Sequence, residues 1–198
     1  MASGPITNAA SVGAPIGSSG SPGAEVFTLR EAARVVGVDH AAVYRHFEDK
    51  RALLAAVAEE GFVALAARIR TMTATMPEAN VLERLRALGA AYVGFALENP
   101  AHYQVMLGPR LNEDGRFPTL ETAIEGAVTL LLEEVRRGRR LGILRNARTR
   151  DMAMTVWTAA HGYASLALLG RIKHGDPGKV AAYLDVVVEP VLAGLRRA

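Results

Sequence analysis

Residues 28–50 read TLREAARVVGVDHAAVYRHFEDK, a pattern of two short helices joined by a tight turn and followed by the start of a third. Thr28 and Glu31 form a capping box, because each side chain can satisfy the backbone N–H of the other. Gly37 ends that helix at a position that favours a left-handed backbone, and Asp39 is placed to cap the next helix. The stretch therefore predicts a helix-turn-helix.

The second helix of this motif carries the side chains that suit a nucleic-acid duplex. Ala41 and Ala42 are small enough to allow close approach, and the residues that follow offer hydrogen-bond donors. Asp49 is predicted to cap a third helix that begins at Lys50. The first-turn N–H groups of that helix, together with Lys50, form a candidate phosphate clamp.

The spacing of this motif resembles that of the tetracycline-repressor (TetR) family of DNA-binding proteins. Tyr44-Arg45-His46-Phe47 is the most specific part of the match, and Asp39 departs from it by replacing the usual serine or threonine. The resemblance implies contacts to phosphates from Tyr44 and Lys50 and to base edges from His40 and Arg45. The complete set of DNA-binding residues that it implies is Thr28, His40, Ala42, Tyr44, Arg45, His46 and Lys50.

The segment before the motif does not follow the family pattern. Residues 1–24 contain no charged residue and are rich in Gly, Ser and Pro, so they predict a flexible segment rather than the helix that precedes the motif in this family. The helix-turn-helix motif at residues 28–50 is called the reader below. Two explanations stay open: part of the true start is replaced or misassigned, or the helix is lost and DNA binding is weakened. The predicted organisation is a flexible segment at 1–24, a helix-turn-helix domain at 25–70 and a helical effector-binding and dimerisation domain at 71–198.

Composition excludes several other classes of protein. The 198 residues include no cysteine, which excludes disulfide frames and thiolate metal sites, and no apolar run approaches the roughly 20 residues of a membrane span. We therefore expect a soluble, cytoplasmic protein. Residues 24–56 hold five basic and five acidic side chains, so DNA affinity depends on where the charges lie rather than on their sum.

Helical spacing continues through the rest of the chain, and no stretch shows strand-like alternation. Proline, glycine and asparagine divide the pattern, which predicts an all-α fold. The predicted helices are 50–76, 81–98, 101–107, 120–140, 151–173 and 179–197. Arg136, Arg137, Arg139 and Arg140 end the fourth of these, where basic side chains usually complement the helix dipole, with an acidic-ligand or DNA patch as the alternative.

The stretch VWTAAHGYASLALLGRI resembles the W-x-x-x-H-G signature of one class of TetR-family C-terminal domain. An apolar or aromatic effector is predicted, because aromatic and sulfur side chains dominate the interior and charges are few. The candidate ligand-binding residues are Tyr92, Phe95, Tyr103, Met106, Trp157 and His161. No catalytic motif, metal-ligand spacing or phosphate loop is present, so we predict no enzyme activity, no metal and no cofactor.

The last two predicted helices are rich in small and aliphatic residues, which favours a homodimer built as a four-helix bundle. The candidate interface residues are Ala160, Ala164, Ala167, Leu168, Val187 and Val191. The predicted function is a ligand-responsive transcriptional regulator, most simply a repressor, that binds a palindromic operator as a homodimer. The alternative is a helical ligand-binding or dimerisation module that has lost DNA binding together with its first helix.

Overall fold

A computed structural model of the protein describes residues 47–108, 110–172 and 178–197. The described residues form α1 (Lys50–Thr73), α2 (Val81–Glu98), α3 (Pro100–Met106), α4 (Pro118–Arg140), α5 (Thr149–Leu168), α6 (Gly178–Tyr183) and α7 (Glu189–Leu195), with a π-helical turn at Leu184–Val188. In this part of the chain the only strand-like pairing is a single bridge between Leu144 and Arg196. The all-α prediction is confirmed.

The helix-turn-helix stretch before Phe47 lies outside the described residues. The predicted DNA-binding residues Thr28, His40, Ala42, Tyr44, Arg45 and His46 fall there, as does the segment 1–24. Lys50 alone of that set is described. Those assignments therefore stay predictions.

Local chemistry sets where most helices begin and end. The Asp49 carboxylate accepts a hydrogen bond from Ala52 N–H at 2.7 Å, which confirms the predicted cap and the start of α1 at Lys50. Pro100 and Pro118 occupy the first positions of α3 and α4, where a missing N–H costs nothing.

Two of the later helices differ from their predicted bounds. Helix α5 ends at Leu168 rather than at 173, because Gly170 adopts a φ of +65° and Arg171 N–H returns to the Leu166 carbonyl. The predicted helix 179–197 is interrupted at Leu184–Val188. Pro190 lies just beyond this π-helical turn and has no N–H to donate to the preceding turn, which breaks the regular ladder.

The core lies between α1, α2, α4 and α5, with the last helical segment closing one side. Helix α1 packs against α2, α3 and α4 along its length, and α2 packs against α5. The first half of α1 contributes Leu53 and Val57, both fully buried, and the second half contributes Leu65 and Ile69. Because α1 begins beside the predicted DNA reader, one helix joins the reader to the core.

A buried ion pair fixes the far end of α1. Arg84 on α2 donates from Nε to Glu134 of α4 at 2.9 Å and from Nη1 to the carbonyls of Thr73 and Met76. Glu134 is only 3% exposed and also accepts from Arg137. Adjacent Glu133 is exposed, in agreement with the expectation that neighbouring carboxylates on a helix do not share a site.

Close packing at one glycine gives a stability prediction. A Cβ on Gly138 of α4 would lie 2.7 Å from atoms of Leu144 and Val81. Gly138→Ala should therefore lower the free energy of unfolding by about 1–3 kcal/mol through overpacking. Gly126→Ala, in open space on the same helix, should raise it by about 0.5–1 kcal/mol through helix propensity. Urea unfolding of both variants measures this, and equal changes would contradict the packing argument.

Candidate functional site

A cavity of about 610 Å³ lies between α1, α2, α4 and α5. This volume falls within the usual range of small-molecule sites. Most of its wall is aliphatic or aromatic, and the lining residues of α1 are Phe62, Leu65 and Ile69. Val128, Met154 and Trp157 also line it and are left partly exposed, so the cavity opens to the surface through apolar side chains.

The polar part of the wall is concentrated where α4 ends and α5 begins. Arg136, Thr149 and Arg150 line the cavity there, and among the described residues no acidic side chain lines it. Arg139, one turn beyond Arg136, donates to Thr149 Oγ1 at 2.9 Å and so joins the two helix ends. The basic cluster at the end of α4 is therefore divided: Arg137 and Arg139 pair within the protein, and Arg136 lines the cavity.

The six predicted ligand-binding residues are placed in different ways. Tyr92 and Trp157 line the cavity. Phe95 is buried between α1 and α2, in one cluster with Leu65 and Ile69. The remaining three are Tyr103 and His161, which lie behind the wall, and Met106, which contacts Gly61 and lines a second, smaller cavity of about 420 Å³.

His161 is at the centre of a hydrogen-bonded cluster that supports the wall. Its ring stacks on Trp157 with centroids 5.4 Å apart, and its Nδ1 lies 2.8 Å from the Tyr103 hydroxyl and 3.3 Å from that of Tyr92. Ser165 Oγ lies 3.3 Å from the Tyr103 hydroxyl. Burial lowers the pKa of His161 and raises the pKa of Tyr103. A neutral imidazole with Nδ1 as acceptor fits both shifts.

A second site of interest lies at the start of α1, next to the predicted reader. Arg116, in the loop between α3 and α4, donates to Asp49 at 2.7 Å and to Glu48 at 2.6 Å. Arg51 pairs with Asp114 of the same loop and donates to the Leu111 carbonyl at 2.7 Å. We call these contacts the loop clamp.

Phe117 completes the loop clamp. Both guanidinium groups lie over its ring, Arg51 at 5.4 Å and Arg116 at 5.2 Å from the centroid. The hydrogen bond from Ala52 N–H and the Arg116 guanidinium together lower the pKa of Asp49. The loop clamp therefore holds the carboxylates of Glu48 and Asp49 at the end of the reader motif.

The loop clamp changes the expected phosphate contact at Lys50. Lys50 is exposed, but Asp49 already occupies Ala52 N–H, and the Arg51 guanidinium is bound to the loop. A phosphate at this helix start would meet Lys50 and the remaining first-turn N–H groups only. Lys50 stays a predicted DNA contact.

The predicted dimer residues Ala160 and Ala164 need correction. They are 2% and 0% exposed and pack into the protomer's own core, so they are not available to a partner. A small-residue stripe can face either side, and here it allows α5 to approach α2. Ala167, Leu168, Val187 and Val191 are half-buried against the same core and stay predictions.

The exposed side of α5 and of the last segment forms a different surface. Leu166, Leu169 and Val186 are 46%, 71% and 72% exposed. An added Cβ at Gly162 or Gly194 would meet no atom of the described residues within 4 Å. We call this surface the two-helix face; its exposed residues are Thr155, Thr158, Leu166, Leu169, Val186, Pro190 and Ala193.

Metal-binding clusters and membrane-spanning helices are absent from the described part of the chain. No group of three or more His, Asp or Glu side chains is arranged there to hold a metal ion. None of its helices combines the length and apolar character needed to cross a membrane.

Comparison with known sequences identifies the family. The profile of the tetracyclin repressor-like C-terminal domain matches residues 85–191, more than half of the chain, and the profile of the bacterial regulatory proteins of the tetR family matches residues 21–57. The chain belongs to the TetR family. Regulators of this family are DNA-binding transcriptional regulators that bind DNA as dimers, and they are not enzymes.

Individual curated relatives share about a third of their aligned residues with the chain. The chain is 33% identical over 119 residues to the nucleoid occlusion factor SlmA of Idiomarina loihiensis and 32% identical over 121 residues to that of Edwardsiella ictaluri. These alignments cover 58% and 59% of this chain and 59% and 60% of the relatives. The chain thus spans about three fifths of the curated relatives that it matches.

Solved structures support the same fold. A Rhodococcus sp. RHA1 protein of unknown function is 27% identical with a TM-score of 0.67, covering 86% of this chain and 85% of that one. The ketosteroid transcriptional regulator KstR2 of Mycobacterium tuberculosis is 20% identical with a TM-score of 0.64 at the same coverage, and this likeness concerns the fold alone.

Sequence reasoning did not find the loop clamp or the cavity arginines as sites. Arg51 and Asp114 are 63 positions apart, and no local pattern pairs residues at that distance. The arginines at the end of α4 are predicted mainly to complement the helix dipole, and an acidic-ligand or DNA patch is only the alternative, so the sequence does not single out Arg136 as a cavity residue.

The His161 cluster gives a pH prediction. A pKa below the ordinary 6.5 means that the unfolded state binds the proton more tightly, so the stabilisation from neutral His161 is present above pH 6.5 and is lost on acidification below it. Urea unfolding at pH 7.5 and pH 5.5 should show a smaller acid-induced loss in His161→Gln than in wild type. An identical loss in both proteins would contradict this account.

Proposed function

We propose that the protein is a ligand-responsive repressor that binds a palindromic operator as a homodimer and releases it when an apolar or aromatic effector enters the 610 Å³ cavity. One observation carries the proposal: α1 begins at the reader motif and supplies Phe62, Leu65 and Ile69 to the cavity wall. Any ligand that favours a different tilt of α1 changes the position of the reader, because the two ends belong to one helix.

The loop clamp offers a second route from the cavity to the reader. Helix α4 supplies Val128 and Leu131 to the cavity and begins at Pro118, directly after Phe117 of the loop clamp. A shift of α4 around a bound ligand therefore moves the loop that carries Arg116. Glu48 and Asp49 would then lose their counter-charge close to the DNA phosphates, and like-charge repulsion would weaken binding.

The two-helix face is the surface that we assign to the homodimer. Gly162 in mid-helix costs about 1 kcal/mol relative to alanine, and no contact among the described residues requires it. The absence of a side chain at Gly162 would allow a partner helix to approach closely. In a two-fold dimer, Leu166, Leu169 and Val186 of each protomer would be covered by the other protomer. Most homodimers have isologous interfaces of this kind.

A charge on this face tests the assignment. Leu166→Glu should convert the dimer to monomer at micromolar concentration while the helical circular dichroism spectrum stays unchanged, because an unpaired carboxylate in a desolvated seam is strongly unfavourable. Val63→Glu is the matched control, since Val63 is an equally exposed apolar residue on α1. Sedimentation equilibrium is the measurement. A Leu166→Glu protein that stays dimeric would exclude the face.

DNA binding is tested first by selecting duplexes from a random pool with the full chain and measuring salt-dependent affinity by fluorescence anisotropy. A palindromic consensus that binds tightly supports the repressor. Failure to enrich any sequence would favour the alternative, a module that has lost DNA binding.

The selected duplex then tests the loop clamp. Arg116→Gln should weaken binding by about tenfold at low salt, because Glu48 and Asp49 lose their two ion pairs. Glu48→Gln in the same protein should restore part of the loss. Arg110→Gln is the control, because Arg110 lies in the same loop, is 85% exposed and, among the described residues, pairs only with Glu113, at 3.9 Å.

The two arginine variants lose the same charge, so their comparison separates position from net charge. Equal losses of affinity in Arg116→Gln and Arg110→Gln would show that net charge alone matters and that the loop clamp has no part in DNA binding.

A further inference from the structure

The proposed function leaves the chemistry of the effector open, and the cavity wall restricts it. We propose that the cavity binds an amphipathic anion, with an apolar body in the aliphatic and aromatic interior and one anionic head between Arg136 and Arg150. This inference rests on the proposal that the cavity is the effector site. It adds the charge and the orientation of the ligand.

The uneven distribution of polarity in the wall is the first argument. The interior part of the wall is aliphatic and includes Leu65, Leu88, Leu131 and Val156. The hydroxyl of Tyr92 faces His161. An apolar body can therefore fill the interior without leaving a polar group unpaired.

The two arginines are the second argument. Among the described residues, neither Arg136 nor Arg150 has an acidic partner, in contrast to Arg84, Arg137 and Arg116, which pair with carboxylates. Guanidinium groups present several N–H donors in a planar array that suits carboxylate and phosphate oxygens. Thr149, the first residue of α5, lines the cavity together with them, and the start of this helix adds further attraction for an anion.

The surrounding charge agrees with an anionic head. Residues 133–151 contain seven arginines and three acidic residues, and one of those acids, Glu134, is buried in ion pairs. This basic end of the molecule is far from Lys50, the first residue of α1. Arg136 and Ile69 line the same cavity, and Ile69 lies about 30 Å along α1 from Lys50 at 1.5 Å per residue. The excess positive charge is therefore directed at the cavity rather than at an operator.

The experiment uses the only tryptophan, Trp157, as a reporter in the cavity wall. Wild-type protein is titrated with decanoate, decyl phosphate, 1-decanol and decylammonium, which share one apolar chain and differ in the head group. Saturable quenching or enhancement of tryptophan fluorescence gives each dissociation constant. Both anions should bind about tenfold more tightly than the alcohol, and decylammonium should bind most weakly. The ratio of the two anions distinguishes a carboxylate from a phosphate head.

Matched variants locate the head group. Arg136→Gln combined with Arg150→Gln should abolish the preference for anions while decanol affinity stays the same, and added salt should reduce the preference in wild type. Arg140→Gln is the control, because Arg140 belongs to the same basic cluster, is exposed and does not line the cavity. Trp157 is present in both variant proteins and reports binding in each, so a retained fluorescence response to decanol shows that the cavity is intact.

The outcomes separate this inference from the proposed function. Equal affinity for decanoate and decanol, a preference that survives in the double variant, or no saturable response to either anion would overturn the inference, and a neutral effector could still regulate DNA binding. Binding of decanoate with the expected preference but no effect on the operator complex would support the inference and contradict the proposed regulation.

Discussion

Helix α1 is held at both ends by guanidinium groups, and the two attachments differ in strength. At the far end Arg84 joins the Thr73 carbonyl to buried Glu134, and removing one partner of such a pair leaves an uncompensated buried charge. At the reader end the Arg116 pairs are exposed, where ion pairs contribute little and are screened by salt. Motion of α1 is therefore expected at the reader end, with the far end as its pivot.

The cavity lies beside the second half of α1, close to that pivot. A small tilt at Leu65 or Ile69 becomes a larger displacement at Lys50, because the helix continues for about five more turns. The mouth leaves Val128, Met154 and Trp157 partly exposed, although apolar side chains usually avoid water when the fold can cover them. An apolar ligand would cover this surface. A ligand bound in the cavity would therefore contact α1 near its pivot, where a small tilt displaces Lys50 most.

The sequence predicted those features that depend on neighbouring residues. The starts at Lys50 and Val81 and the end at Arg140 follow from caps, prolines and glycines within a few positions. The orientation of α5 could not be obtained in this way, since Ala160 and Ala164 suit a partner helix as well as the protomer's own core. The loop clamp was equally inaccessible, because it joins Arg116 to Glu48 across 68 positions of chain.

Glu48 and Asp49, the acidic residues at the end of the reader motif, both contact Arg116 of the loop between α3 and α4. Glu48 and Asp49 oppose DNA binding by their charge, yet Asp49 caps α1 and both pair with the single guanidinium group of Arg116. The local charge at the start of α1 therefore depends on the position of the loop between α3 and α4. A motif with a permanent excess of basic residues would bind DNA more strongly, but it would respond less to that loop. The balanced charge of residues 24–56 would suit the proposed regulation, in which the affinity for DNA changes when an effector binds.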